Sequence, residues 1–188
     1  MQVRIGVSNR HIHLKKEDLE VLFGLGYELN IEKPLNQIGQ FSSTDKVTIK
    51  TNKSEIHNVR ILGPVRNYTQ VEISKTDAFK LGLNPPIRTS GDLENSSPIT
   101  IVGPKGTLNL SKGCIIADRH IHITEKQAEE FGLIGLKEVS LKVGGLKGGI
   151  LEHVYLRVAE NSYFEVHLDT DDANSHLISN GDKLEIIK

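Results

Sequence analysis

Two short runs place paired imidazoles on one side of an extended chain. Ser8-Asn9-Arg10-His11-Ile12-His13-Leu14 recurs as Ala117-Asp118-Arg119-His120-Ile121-His122-Ile123, 109 residues later, from His11 to His120. Residues i and i+2 of a strand point to the same face, so His11 and His13 project together, as do His120 and His122. Side-by-side imidazoles are ligands for zinc, copper, iron or nickel. A lone His-x-His is more often polar surface strand. Two copies, each following an arginine at the same place in a repeat, favour metal binding.

The downstream segments of the two copies match as well. Asn67 to Ala78 aligns with Ser162 to Ala173, and Glu72 and His167 then share a repeat position, 95 residues apart. Glu72 alone would read as a solvated strand residue; the repeat promotes it. The expected ligand sets are His11, His13 and Glu72 in one copy and His120, His122 and His167 in the other. Three protein ligands with positions left open is the pattern of catalytic rather than structural metal sites. His57, His153 and His176 have no counterpart in the other copy and are expected at the surface. Two further runs suit phosphate. Gly63-Pro64-Val65-Arg66 and Arg88-Thr89-Ser90-Gly91 offer guanidinium forks, a hydroxyl and flexible backbone near Glu72. Gly144-Gly145-Leu146-Lys147-Gly148-Gly149 lacks the Walker pattern, because Ile150 follows it, and is read as a hairpin turn. Cys114 lies in an apolar run and is assigned to the core. No Gly-x-Ser-x-Gly elbow is present.

Short elements must carry these residues. Each His-x-His follows a β-branched run, Val3 to Val7 in one copy and Ile115-Ile116 in the other, and each precedes a short helical pattern. The first helix is expected over 16–23, ending at Gly24. The second is expected over 124–131, with Thr124 and Gln127 forming a capping box and Gly132 ending it. Alternating runs such as Val47 to Lys50 and Val139 to Val143 predict strands, and 99–110 predicts a hairpin. The second copy is 14 residues shorter, mostly for want of the loop-like insertion 26–43. Residues 84–98 read as connection. The pattern implies a mainly β protein with short capping helices: two related β-barrel lobes from an internal duplication. The lobes are assigned to 1–111 and 112–188, with strand exchange between them left open.

Composition excludes several classes. One cysteine in 188 residues rules out an intramolecular disulfide and multi-thiolate zinc or iron–sulfur sites. A formal charge of −1 and 5% aromatic residues offer neither a basic field nor stacking platforms, so no nucleic-acid partner is expected. No apolar run approaches the roughly 20 residues of a membrane helix, and the N-terminus has no secretory pattern, so a cytoplasmic protein without a membrane role is expected. A homodimer is the commonest symmetric assembly and is the expected one.

Taken in order along the chain, the paired His-x-His motifs, the Gly-Pro-Val-Arg…Val-Glu run, the Arg-Thr-Ser-Gly-Asp run and Val-His-Leu-Asp-Thr-Asp-Asp-Ala-Asn resemble the PduL-type phosphotransacylases, or phosphate propanoyltransferases. The resemblance covers essentially the whole chain. It implies reversible transfer of a short acyl group, propanoyl or acetyl, between coenzyme A and inorganic phosphate. It also implies two β-barrel lobes with the active site and two zinc ions between them. The zinc positions correspond to His11, His13 and Glu72, and to His120, His122 and His167; cobalt or iron would also suit such ligands. The phosphate-binding residues correspond to Arg66, expected to be catalytic, and Ser90. Coenzyme A contacts correspond to Ser8, Lys33, Arg60, Leu62, His167 and Asn174. Members of the family bound for microcompartments carry an amphipathic N-terminal extension. Only ten residues precede His11, so a free cytoplasmic enzyme is expected. The competing readings are a binuclear metallohydrolase, acting on phosphoesters or thioesters, and a non-catalytic metal-binding double barrel.

Overall fold

The computed structural model describes residues 1–188. In chain order its elements are β1 (Gln2–Ser8), β2 (His11–His13), α1 (Lys16–Phe23), β3 (Ile31–Pro34), β4 (Phe41–Lys50), β5 (Glu55–Gly63), β6 (Gln70–Glu72), α2 (Lys75–Leu81), β7 (Ile87–Arg88), β8 (Ser97–Val102), β9 (Thr107–Ala117), β10 (His120–Ile123), α3 (Glu125–Glu130), β11 (Glu138–Val143), β12 (Gly149–Val158), β13 (Glu165–Asp169), α4 (Thr170–Ser175) and β14 (Lys183–Ile187). The protein is mainly β, and its four helices are short. Two compact units form, one from Arg10–Ala117 and one from Met1–Asn9 with Asp118–Lys188.

In the 10–117 unit, β4, β5, β2, β6 and β9 pair in that order, and β8 pairs with both β9 and β4. The ring therefore closes into a six-stranded barrel, which removes free edges. β3 adds to β4, and β7 adds to β9. Ile12, Val47, Ile61, Val71 and Ile101 fill the core with Leu19 and Leu22 of α1. In the other unit β1, β13, β10, β12, β11 and β14 form a closed barrel, with Val3, Ile5, Ile121, Leu141 and Val166 inside.

The two rings match strand for strand. β2 lies parallel to β5 and antiparallel to β6; β10 lies parallel to β12 and antiparallel to β13. The strand before each His-x-His, however, serves the other copy's barrel. β1 precedes His11 but pairs with β13 and β14, whereas the end of β9 precedes His120 but pairs with β6. The compact units are therefore drawn differently from the repeat lobes 1–111 and 112–188. The first nine residues go with the second copy because Val3 and Ile5 are wholly buried in its core.

Local chemistry sets the helices. α1 spans the expected 16–23 and stops at Gly24, where φ is +112°. The Thr124–Gln127 capping box starts α3 as its spacing implies, but the helix covers only Glu125–Glu130, and Phe131, not Gly132, is its C-cap. Ser74 caps α2 and Asp169 caps α4, each accepting backbone N–H bonds. Residues 144–148 form the β11–β12 turn, and 103–106 turn β8 into β9. The expected loop 26–43 is more ordered than its composition suggests. Buried Asp45 accepts from the Tyr27 hydroxyl and the Asn30 amide, both at 2.8 Å, and β3 follows at once. Likewise the connection 84–98 holds the two-residue β7.

Candidate metal centres

Alternation along β2 and β10 decides which way the imidazoles point. Ile12 and Ile121 enter the two barrel cores, so the flanking histidines occupy the opposite strand face. The neighbouring antiparallel strand then supplies the third ligand: His11 faces Glu72 across β2 and β6, and His120 faces His167 across β10 and β13. A fork anchors each motif from behind. Arg10 grips Asp77 of α2 through Nε and Nη2 at 2.7 and 2.8 Å, and Arg119 grips Asp172 of α4 in the same way at 2.8 and 2.7 Å. Bidentate pairing of this kind fixes orientation as well as charge.

The first cluster is buried. His11 Nε2 stands 3.4 Å from Glu72 Oε2, and His13 Nε2 stands 3.9 Å from Glu72 Oε1. Donor atoms of His11, His13 and Glu72 all lie within 4.8 Å of one another. Gln70 Nε2 and Ser90 Oγ donate to Glu72 Oε1 at 2.6 and 2.8 Å, and Gln70 Oε1 accepts the Gly91 amide at 2.7 Å. Burial opposes ionisation of Glu72. Its interactions with His11 above all, and with His13 and Ser90, outweigh that cost, and the carboxyl is held well below its ordinary range. Burial and His11 push His13 well below the usual histidine value, leaving it neutral. Arg66 reaches this network through Nη1, which donates to Tyr68 Oη at 2.6 Å and lies 3.4 Å from Ser90 Oγ.

The second cluster brings the donor atoms of His120, His122 and His167 within the same 4.8 Å limit. The Asp118 carbonyl lies 2.8 Å from His120 Nδ1. A carbonyl only accepts, so Nδ1 carries the proton and Nε2 keeps its lone pair. Arg157 donates to the Asp118 carboxylate beside it. Burial, with His167 and His120 near, lowers His122 to about 3, and burial lowers His120 too. Tyr163 stacks on His122 at 5.6 Å, and its hydroxyl meets His167 Nε2 at 2.8 Å and Glu165 Oε1 at 3.2 Å.

Both donor sets fit a divalent metal. Each gathers three ligand groups, and the imidazoles held neutral by burial offer lone pairs, not protons. A carbonyl behind His120 is the outer partner that metal-bound imidazoles commonly have.

Comparison with known proteins bears directly on this arrangement. The family profile described as phosphate propanoyltransferase matches residues 4–179. The chain belongs to that family. It is 51% identical to a phosphate propanoyltransferase of Thermotoga maritima over 185 residues, 98% of this chain and 88% of the relative. The one from Rhodopseudomonas palustris is 45% identical over 187 residues, covering 100% and 83%. That from Clostridioides difficile is 44% identical over 186 residues, covering 99% and 89%.

Against this phosphate propanoyltransferase background, the expected residues fall into groups. The six ligand candidates form the two triads, and Arg66 and Ser90 adjoin the first. Lys33, Ser42 and Leu62 stand in one row across β3, β4 and β5, and Arg60 shares the Leu62 face. Arg60 donates to the Ser43 carbonyl at 2.8 Å and pairs with Glu32. In the other unit Ser8 ends β1 opposite Asp169, and Asn174 lies on α4. Sequence reasoning passed over Gln70, Tyr68, Tyr163, Glu165 and Arg157. The first four sit in the aligned segments, at shared repeat positions, so the alignment held the signal. Arg157 has no such mark; only the fold brings it to Asp118.

Proposed function

We propose that this protein is a phosphate acyltransferase that moves a propanoyl or acetyl group between coenzyme A and inorganic phosphate, with two zinc ions as cofactors. The observation that supports this reading most is the joining of a three-ligand cluster to an anion site: Ser90 bonds Glu72 at 2.8 Å and lies 3.4 Å from the Arg66 guanidinium. His11, His13 and Glu72 would hold one metal and His120, His122 and His167 the other. When bound, a divalent metal supplies Lewis acidity for a developing oxyanion and a soft partner for thiolate.

The chain's own groups do the rest. Arg66 binds phosphate through its fork, and Tyr68, already bonded to Nη1, holds the guanidinium in place. Ser90 adds a hydroxyl to the same anion. A phosphate oxygen attacks the thioester carbonyl carbon, the carbon–sulfur bond breaks, and the proton of hydrogen phosphate ends on the coenzyme A sulfur. Acyl phosphate and coenzyme A result, and the reverse reaction retraces the path. No covalent acyl-enzyme is required. The sole cysteine agrees, since burial pushes the Cys114 thiol up to about 12 and leaves it unreactive. Ser8, Lys33, Arg60, Leu62, His167 and Asn174 are the proposed coenzyme A contacts. A cytoplasmic homodimer is the proposed form, and no helix is long and apolar enough to cross a membrane.

Thiol release from propanoyl-CoA and acetyl-CoA, followed with and without phosphate, tests the reading. Release that requires phosphate and yields acyl phosphate is expected. Equal release in its absence would mean hydrolysis and would overturn it.

A further inference from the structure

The two clusters are larger than triads. Each pair of facing strands presents a block of four side chains on one face. In the first, His11 faces Glu72 and His13 faces Gln70; in the second, His120 faces His167 and His122 faces Glu165. Each block thus contains one carboxylate, displaced by one place between the copies. In the first block the fourth member is a neutral amide, occupied by Glu72 and the Gly91 backbone. In the second the fourth member is Glu165, 6% exposed, with Oε1 3.3 Å from His167 Nε2 and accepting the Tyr163 hydroxyl.

The backbone makes room for this carboxylate. Gly6 of β1 lies opposite His167 in the parallel ladder. A Cβ at position 6 would fall 2.5 Å from Glu165 Oε1 and 3.0 Å from His167 Cδ2. Its repeat counterpart, Ile115 opposite Glu72, carries a full side chain. Glycine therefore stands where the second block brings a buried carboxylate and an imidazole against the strand backbone. A buried carboxylate is costly unless it is hydrogen-bonded or meets positive charge.

We propose that Glu165 is a positioning residue of the second metal centre: together with Tyr163 it orients His167, and it places a carboxyl group beside the three imidazoles where the first centre has Glu72 among its ligands. This rests on the reading of His120, His122 and His167 as a metal site. The two centres would then each have one carboxyl among four facing side chains while presenting different ligand faces, His-His-Glu and His-His-His.

The test uses the full chain loaded with cobalt(II), whose visible spectrum reports ligand geometry, and chelator competition to resolve two dissociation constants. Glu165→Gln, nearly isosteric, is expected to weaken one metal by roughly 10–100-fold and shift its cobalt bands, leaving the other metal unchanged. Glu165→Asp should recover part of the affinity. Gly6→Ala should weaken the same metal by displacing the carboxylate. His167→Ala separates the two ideas. If it removes one metal equivalent while Glu165→Gln and Gly6→Ala leave both affinities within about twofold and the spectrum unaltered, the Glu165 assignment is wrong and the site stands. If His167→Ala removes no metal, the site itself is wrong, and the assignment falls with it.

Discussion

Arg66 owes its use to shape as well as charge. Its Nη1 is already directed by Tyr68 and lies within reach of Ser90, so in the proposed reaction the remaining donors would meet phosphate in a fixed plane. Arg66→Lys keeps the charge and loses the fork. A charge-assisted hydrogen bond contributes about 1.5–3 kcal/mol, so the KM for phosphate should rise by roughly 10–100-fold in steady-state assays; an unchanged KM would remove Arg66 from the phosphate site. His122 carries a pH dependence. Its folded value of about 3 lies below the ordinary 6.5, because burial and neighbouring histidines disfavour its charged form. Between those values the unfolded chain binds a proton that the folded chain refuses, so this contribution is complete above about 6.5 and is lost as pH falls toward 3. Glu72, held below its usual value, acts in the same sense: its contribution is present above 4.5 and lost on acidification. Urea midpoints of metal-free protein from pH 7.5 to 5 should fall, and His122→Gln should flatten that fall. Parallel profiles for the two proteins would mean that the buried His122 imidazole does not set the slope.

At the scale of elements, the motif strands are held by the helices that follow their facing strands. Arg10 to Asp77 and Arg119 to Asp172 are the same device at the same repeat positions, each tying a His-x-His strand to a capped helix. A double-mutant cycle of Arg10→Ala and Asp77→Ala, read by denaturant midpoints, should give a coupling of about 1–2 kcal/mol, more than an exposed pair because Asp77 is buried. A coupling near zero would make the fork incidental. Much at this scale was legible in the chain: α1, the Thr124–Gln127 box, the turn at 144–148 and the 99–110 hairpin follow from local residue chemistry. Two segments were not. β3 forms because β4 offers it an edge, with Asp45 of β4 satisfying Tyr27 and Asn30 just before it. β7 forms because β9 offers it an edge. Neither cause is local, so periodicity could not report it.

For the molecule as a whole, the duplication was readable and the two closed barrels it implies are present, but the exchange of leading strands was not. Val3 to Val7 looks the same whether it pairs within its own copy or with β13 and β14, because a buried apolar strand does not name its neighbour. The same ambiguity hid Glu165. Read alone it is an ordinary strand carboxylate, and only the ladder opposite His122 and the glycine at position 6 give it a place. The two three-residue clusters were legible because duplication repeated rare residues at fixed spacing. Their use in catalysis is the central claim, and one measurement tests it most directly: acyl phosphate formation from propanoyl-CoA and phosphate by protein stripped of metal, then restored with zinc. Activity should drop at least about 100-fold on stripping, several kcal/mol of barrier, and return as two equivalents of zinc are bound. Undiminished phosphate-dependent turnover by protein shown to hold no metal would contradict it.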